Sequence, residues 1–69
     1  MKSNRSWHIN LGVALMNERR YDEARDEFKK ILKLEHDNVN AFYYLGLIYF
    51  RKGVYHKALK NLQQASHLK

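Results

Sequence analysis

If this chain performs chemistry, the groups available for it are four histidines, seven carboxylates and an aromatic cluster near its middle. His8, His36, His56 and His67 stand at scattered positions. None has a second donor three or four places along that would put two ligands on one helical face. His36 lies between Glu35 and Asp37, a pattern that fits a solvated turn better than a metal ligand. Gly12, Gly46 and Gly53 are isolated from one another, so no glycine-rich phosphate loop is present. No nucleophile stands with a base at a spacing that would activate it. The expectation is therefore a non-enzymatic chain without cofactor or metal. Asn4-Arg5-Ser6 matches the N-glycosylation triplet. The opening MKSNRSWHIN has no apolar core of an export signal, however, so the triplet reads as accidental and a cytoplasmic location is expected. Absence of cysteine agrees with a reducing interior and leaves stability to packing alone.

The aromatic cluster is Phe42-Tyr-Tyr-Leu-Gly-Leu-Ile-Tyr-Phe50, nine uncharged residues with five rings. Beside Arg51 and Lys52 such rings could stack on bases while the cations hold phosphates, which makes single-stranded RNA one candidate partner. The unbroken apolar run from Ala41 to Phe50 is ten residues long, and a membrane span needs about 20. No membrane segment is expected. Charge is distributed unevenly: residues 1–38 carry eight Lys and Arg against seven Asp and Glu, whereas residues 39–69 carry five against none. Because these cations recur among apolar residues at helical spacing, they read first as a solvated face.

Self-similarity supplies the elements that must position these groups. Sliding the chain by 34 residues aligns Leu11 with Leu45, Gly12 with Gly46, Ala14 with Ile48 and Tyr21 with Tyr55. The same shift aligns Ala24 with Ala58, Phe28 with Leu62, Ile31 with Ala65 and Leu34 with Leu68. Each copy shows apolar residues at steps of three and four, broken by Asn17-Glu18-Arg19-Arg20 in the first and by Gly53 in the second. Strand alternation is absent. Four helices in two helical hairpins are predicted. The second helix opens on Asp22-Glu23 and closes on Lys29, Lys30 and Lys33, charges that suit its dipole, with Asp26 and Lys30 placed to pair. Gly12 and Ala24, like Gly46 and Ala58, should let paired helices approach closely.

These residues resemble the tetratricopeptide repeat family, whose unit is a 34-residue helix-turn-helix. Its pattern runs from an aromatic through Leu-Gly and Tyr to Ala and a large apolar residue. The second copy shows Phe42, Leu45-Gly46, Tyr49, Gly53, Tyr55, Ala58 and Leu62. The first shows Leu11-Gly12, Tyr21, Ala24 and Phe28, with Trp7 one place early for the aromatic and Leu15 where Tyr is usual. The resemblance implies an all-α fold: one domain over residues 1–69, a right-handed superhelical solenoid with repeats at 5–38 and 39–69.

It also implies a function, the binding of other proteins. On the third helix Phe42, Leu45, Gly46 and Tyr49 form the packed side, while Tyr43, Tyr44, Leu47, Phe50 and Arg51 occupy the adjoining arc, which in such proteins lines a concave peptide groove. Asn40 joins this arc, and the matching one on the first helix runs through Ser6, Ile9, Asn10, Val13, Met16 and Asn17. One class of the family grips chaperone C-termini with lysine, asparagine and arginine on this arc. Here Ile9, Val13 and Tyr44 stand at those places, so an apolar or aromatic segment is the expected ligand. Protein binding ranks ahead of RNA, since two units would read little sequence and the asparagines suit peptide backbone.

A solenoid buries its faces against neighbouring units, and nothing in the sequence covers Leu59, Leu62, Ala65 and Leu68. Association between copies through this face is expected unless the chain is part of a longer array. The inter-repeat proline is replaced by His36, and Arg19 stands where the second copy has Gly53. Either junction is thus a candidate hinge for a domain-swapped dimer, at Arg19-Arg20 or across Glu35 to Asn38.

Overall fold

The computed structural model describes residues 4–68, with side chains from Trp7 onward. Lys69, and the side chains of Ser6 and of the Asn4-Arg5-Ser6 triplet, lie outside the described residues. Four helices of equal length follow one another: α1 Asn4–Asn17, α2 Tyr21–Leu34, α3 Val39–Lys52 and α4 Tyr55–Leu68. No strand occurs among the described residues. The fold is all-helical, with α1 packed on α2, α3 on α4, and α3 also seated on α2.

Each turn follows from local chemistry. α1 ends with Arg19 at φ 64°, and α3 ends with Gly53 at φ 81°, so both hairpins reverse through a left-handed residue. Their hydrogen bonds match as well. Arg19 donates to Met16 O at 2.8 Å and Arg20 to Leu15 O at 2.8 Å, as Gly53 donates to Phe50 O at 3.0 Å and Val54 to Tyr49 O at 2.9 Å. These bonds satisfy carbonyls that a helix end leaves open. Between the hairpins, the Asn38 side chain accepts from Ala41 N at 2.9 Å and so caps α3, while its amide donates to Glu35 at 2.8 Å. Cap and bonded turns replace the steric stop of a proline, and both junctions are folded back tightly.

Two expectations need correction. Lys30 does not meet Asp26; it bonds Glu27 at 3.3 Å, while Asp26 receives Arg25 at 3.2 Å. Glu27 has the longer reach and lies one turn below Lys30, and the same carboxylate also takes His8 Nδ1–H from α1 at 3.0 Å. Nor is all of the outer α4 face uncovered. Leu62 packs onto Gly46, and Ala65 is buried, because α3 of the same hairpin already covers them.

The core runs through both hairpins. Phe28, Ile31 and Ile48 are its largest fully enclosed side chains, with Ala24, Ala41, Leu45 and Met16 around them. Gly12 and Gly46 account for the tight hairpins. A Cβ at Gly12 would lie 2.5 Å from Phe28 Cζ, and one at Gly46 would lie 2.6 Å from Leu62 Cδ2. The Cα atoms span 36 × 29 × 15 Å. With helix axes about 8–10 Å apart, the smallest dimension allows only two layers, so every helix keeps a face toward solvent.

Candidate interaction surface

α3 presents different residues to each neighbour. Ala41, Leu45 and Ile48, at steps of four and three, are buried where α3 meets the first hairpin. Gly46 faces Leu62 and the Ala58 carbonyl of α4. Ala41 and Ile48 were not assigned to the packed side from the sequence, although their spacing with Leu45 carries the signal. Around this packed side α3 contributes to two surfaces.

The first is the arc that the sequence singled out. Asn40, Tyr43, Phe50 and Arg51 are exposed on α3, and Asn10 and Asn17 are exposed on α1. Val13, Tyr44 and Leu47 are half-buried and pack against the core. Tyr44 lies nearly parallel to the Phe28 ring, with centroids 5.3 Å apart and 16° between planes, so one of its faces is committed to holding the hairpins together. Tyr43 meets Tyr44 edge to face at 5.2 Å. Phe50 leans on Tyr55 of α4 at 5.6 Å. At 45% and 58% exposure, Tyr43 and Phe50 are the solvent-facing aromatics of this helix.

The second surface is a cleft of about 370 Å³ with an apolar floor of Leu32, Phe42, Leu45 and Tyr49 and a rim of Lys29, Lys57 and Lys60. Lys57 Nζ sits 5.6 Å from the centre of the Tyr49 ring, within cation–π range. From the sequence Lys57 and Lys60 read as a solvated face and Lys29 as a charge suiting the α2 dipole; nothing brought the three together, because they come from two different helices.

Charge between the hairpins is paired across α2 and α3. Lys52 donates to Asp22 and, with its positive charge, holds that carboxyl below the ordinary aspartate range. At the start of α2 Arg20 grips Glu23 with two bonds, at 2.5 and 2.9 Å, which lowers the glutamate and raises the guanidinium. Among the described residues, no group of three His, Cys, Asp or Glu comes together to hold a metal ion, and no helix is long and apolar enough to cross a membrane.

The family pattern described as TPR repeat matches residues 19–53, just over half of the chain. The protein belongs to the tetratricopeptide repeat family. The match runs from the first left-handed turn to the second, through α2 and α3. It thus spans the junction of the two hairpins, where Phe28 and Tyr44 stack. No curated protein matches the chain. Membership makes this tetratricopeptide repeat protein a protein–protein interaction module.

Proposed function

We propose that the chain binds an apolar or aromatic peptide segment along the arc formed by α1 and α3. The observation that carries this reading is Tyr43 and Phe50, large aromatics held in solvent on a helix whose opposite side is fully packed. Leu47 and Val13 offer apolar surface between them, and Asn10, Asn17 and Asn40 offer amides for peptide backbone. Arg51 completes an anchor set of the kind enriched at interfaces, rigid aromatics with an arginine.

RNA is the weaker alternative. Of the unpaired cations, Lys29, Lys57 and Lys60 rim the cleft floored by Phe42 and Tyr49, on a different side of α3 from Tyr43 and Phe50. Next to the exposed rings in sequence stand Arg51 and Lys52, and Lys52 is already engaged by Asp22.

The same reading includes association between copies through the outer side of α4. Both junctions are closed by backbone hydrogen bonds, so docking of folded copies is favoured over exchange of helices.

Selection of a displayed random peptide library on the folded chain tests the groove. Aromatic and aliphatic sequences should be enriched, and Leu47→Ala or Arg51→Glu should weaken a selected peptide by at least about tenfold, the cost of losing about 1.4 kcal/mol at an anchor. Peptides that ignore both substitutions would remove the groove. Labelled single-stranded RNA at low and physiological salt provides the second arm, since a phosphate-driven complex weakens steeply as salt rises.

A further inference from the structure

The internal repeat allows one half of the molecule to serve as the template for the other. In the first hairpin, Phe28 and Ile31 are fully enclosed and Met16 is nearly so, because α3 of the second hairpin lies over that hairpin's end. Moving 34 residues along the chain takes these positions to Leu62, Ala65 and Phe50. There, between the start of α3 and the end of α4, a cleft of about 360 Å³ opens, lined by Val39, Asn40, Tyr43, Leu62, Ala65 and Ser66. Beside it Phe50, Tyr55 and Leu59 are exposed, whereas their counterparts Met16, Tyr21 and Arg25 are wholly or partly covered. Leu68 does not belong to this face. Its counterpart Leu34 remains 75% exposed even though the first hairpin has its neighbour.

We infer that this end of the molecule receives α1 of a second copy, with Trp7 entering the cleft. This rests on the protein-interaction reading and shares Asn40, Tyr43 and Phe50 with the proposed peptide arc, so the variants that test it are placed at Ser66 and Trp7, outside that arc. In the template, the residues that α3 sends into the corresponding place are Ala41 and Ile48, both fully enclosed. Their counterparts on α1 are Trp7 and Ala14. Volumes have been exchanged across the joint. Where the internal interface encloses a small Ala41 from α3 in one core cluster with Phe28, Ile31 and Leu32, the joint between copies sets a large Trp7 against the smaller Leu62, Ala65 and Ser66. Such an exchange conserves packing, and it accounts for a tryptophan that stands 60% exposed in the single chain.

Charge favours the same arrangement. The internal joint is bridged by Lys52 and Asp22. The same shift places Glu18 of the arriving copy opposite His56 of the receiving one, a carboxylate that can accept from a ring N–H. On a larger scale the second half carries five cations and no carboxylate, and all seven carboxylates lie in the first half. Head-to-tail contact sets the basic second half against a first half in which eight cations and seven carboxylates nearly cancel, although α1 itself carries no carboxylate, whereas tail-to-tail contact would oppose two basic ends. A head-to-tail joint leaves a free head and a free tail, so assembly continues beyond two copies.

Trp7 is the single tryptophan of the chain and reports on the joint directly. Raising the concentration from low to high micromolar should shift its emission to the blue while the sedimentation coefficient climbs without reaching a dimer plateau. Ser66→Arg, at an exposed position on the rim of the cleft, should abolish the shift and keep the helical circular dichroism. Trp7→Glu should likewise be monomeric. Mixed in equal amounts, these two variants should form a one-to-one pair and nothing larger, since each has lost only one end. A wild-type chain that stays monomeric would overturn the proposal. So would association of Trp7→Glu alone, which would mark a tail-to-tail contact. Peptide binding that survives Ser66→Arg separates this joint from the groove.

Discussion

The ring of Phe28 lies across Gly12 so closely that a Cβ there would sit 2.5 Å from Cζ and 2.7 Å from Cε2. Phe28 is fully enclosed, and its ring also stacks on Tyr44. One side chain therefore joins α1, α2 and α3.

Gly12→Ala should for that reason destabilise the protein even though alanine favours a helix by about 1 kcal/mol. Overpacking a ring that has nowhere to move costs about 1–3 kcal/mol, leaving a net loss of about 1 kcal/mol. Gly46→Ala meets Leu62 Cγ and Cδ2, each at 2.6 Å, and the Ala58 carbonyl at 3.2 Å; Leu62 must turn at χ1 to yield, but it is half-buried and has solvent to turn into, so the loss should be milder. Urea denaturation of both variants checks the order. If Gly12→Ala is the more stable of the two, Phe28 has room that the packing denies it.

Arg19→Gly should stabilise the chain and Gly53→Ala should weaken it. Both positions lie in the left-handed region, at φ 64° and φ 81°. Occupying it with a side chain costs about 1–2 kcal/mol, which glycine avoids. A change of 1 kcal/mol moves the melting temperature of a domain this small by about 4–8 °C. Opposite shifts in thermal melts are expected, and a lowered melting point for Arg19→Gly would mean that the arginine side chain contributes more than its backbone costs.

Asp22 links the hairpins through Lys52, whose hydrogen bond foremost and whose charge next hold its pKa below 3.8. A carboxyl depressed in the folded state contributes stability that is fully present above 3.8 and is lost as pH falls through the lower folded value. Asp22→Asn should be slightly less stable than the parent at neutral pH, with the gap closing in acid below that value. Lys52→Met should show the same gap. Since the pair is solvated, salt should shrink it. A difference that persists in acid would assign the effect to something other than this ion pair.

Much of the architecture was legible because it depends on neighbours within a helical turn. Apolar residues at steps of three and four mark all four helices, and the break at Gly53 recurs at Arg19 despite the side chain. The long-range pairings were less accessible. Lys30 had two carboxylates within reach on its own helix, and only the packing of α1 shows Glu27 as the shared one. Likewise, Lys29, Lys57 and Lys60 meet around one cleft only once α2 and α4 flank α3.

By itself, then, the sequence determined the helices, their breaks and the two-hairpin repeat, since hydrogen bonds, caps and periodicity act over a few residues. Tertiary structure alone decided how the many apolar residues of α3 divide. Ala41 and Ile48 are enclosed, Tyr44 is bound by one face to Phe28, and Tyr43 and Phe50 are left in solvent. The physical reason is that a helix this apolar has several sides fit for burial, and only the positions of α2 and α4 around it select which ones lose their water.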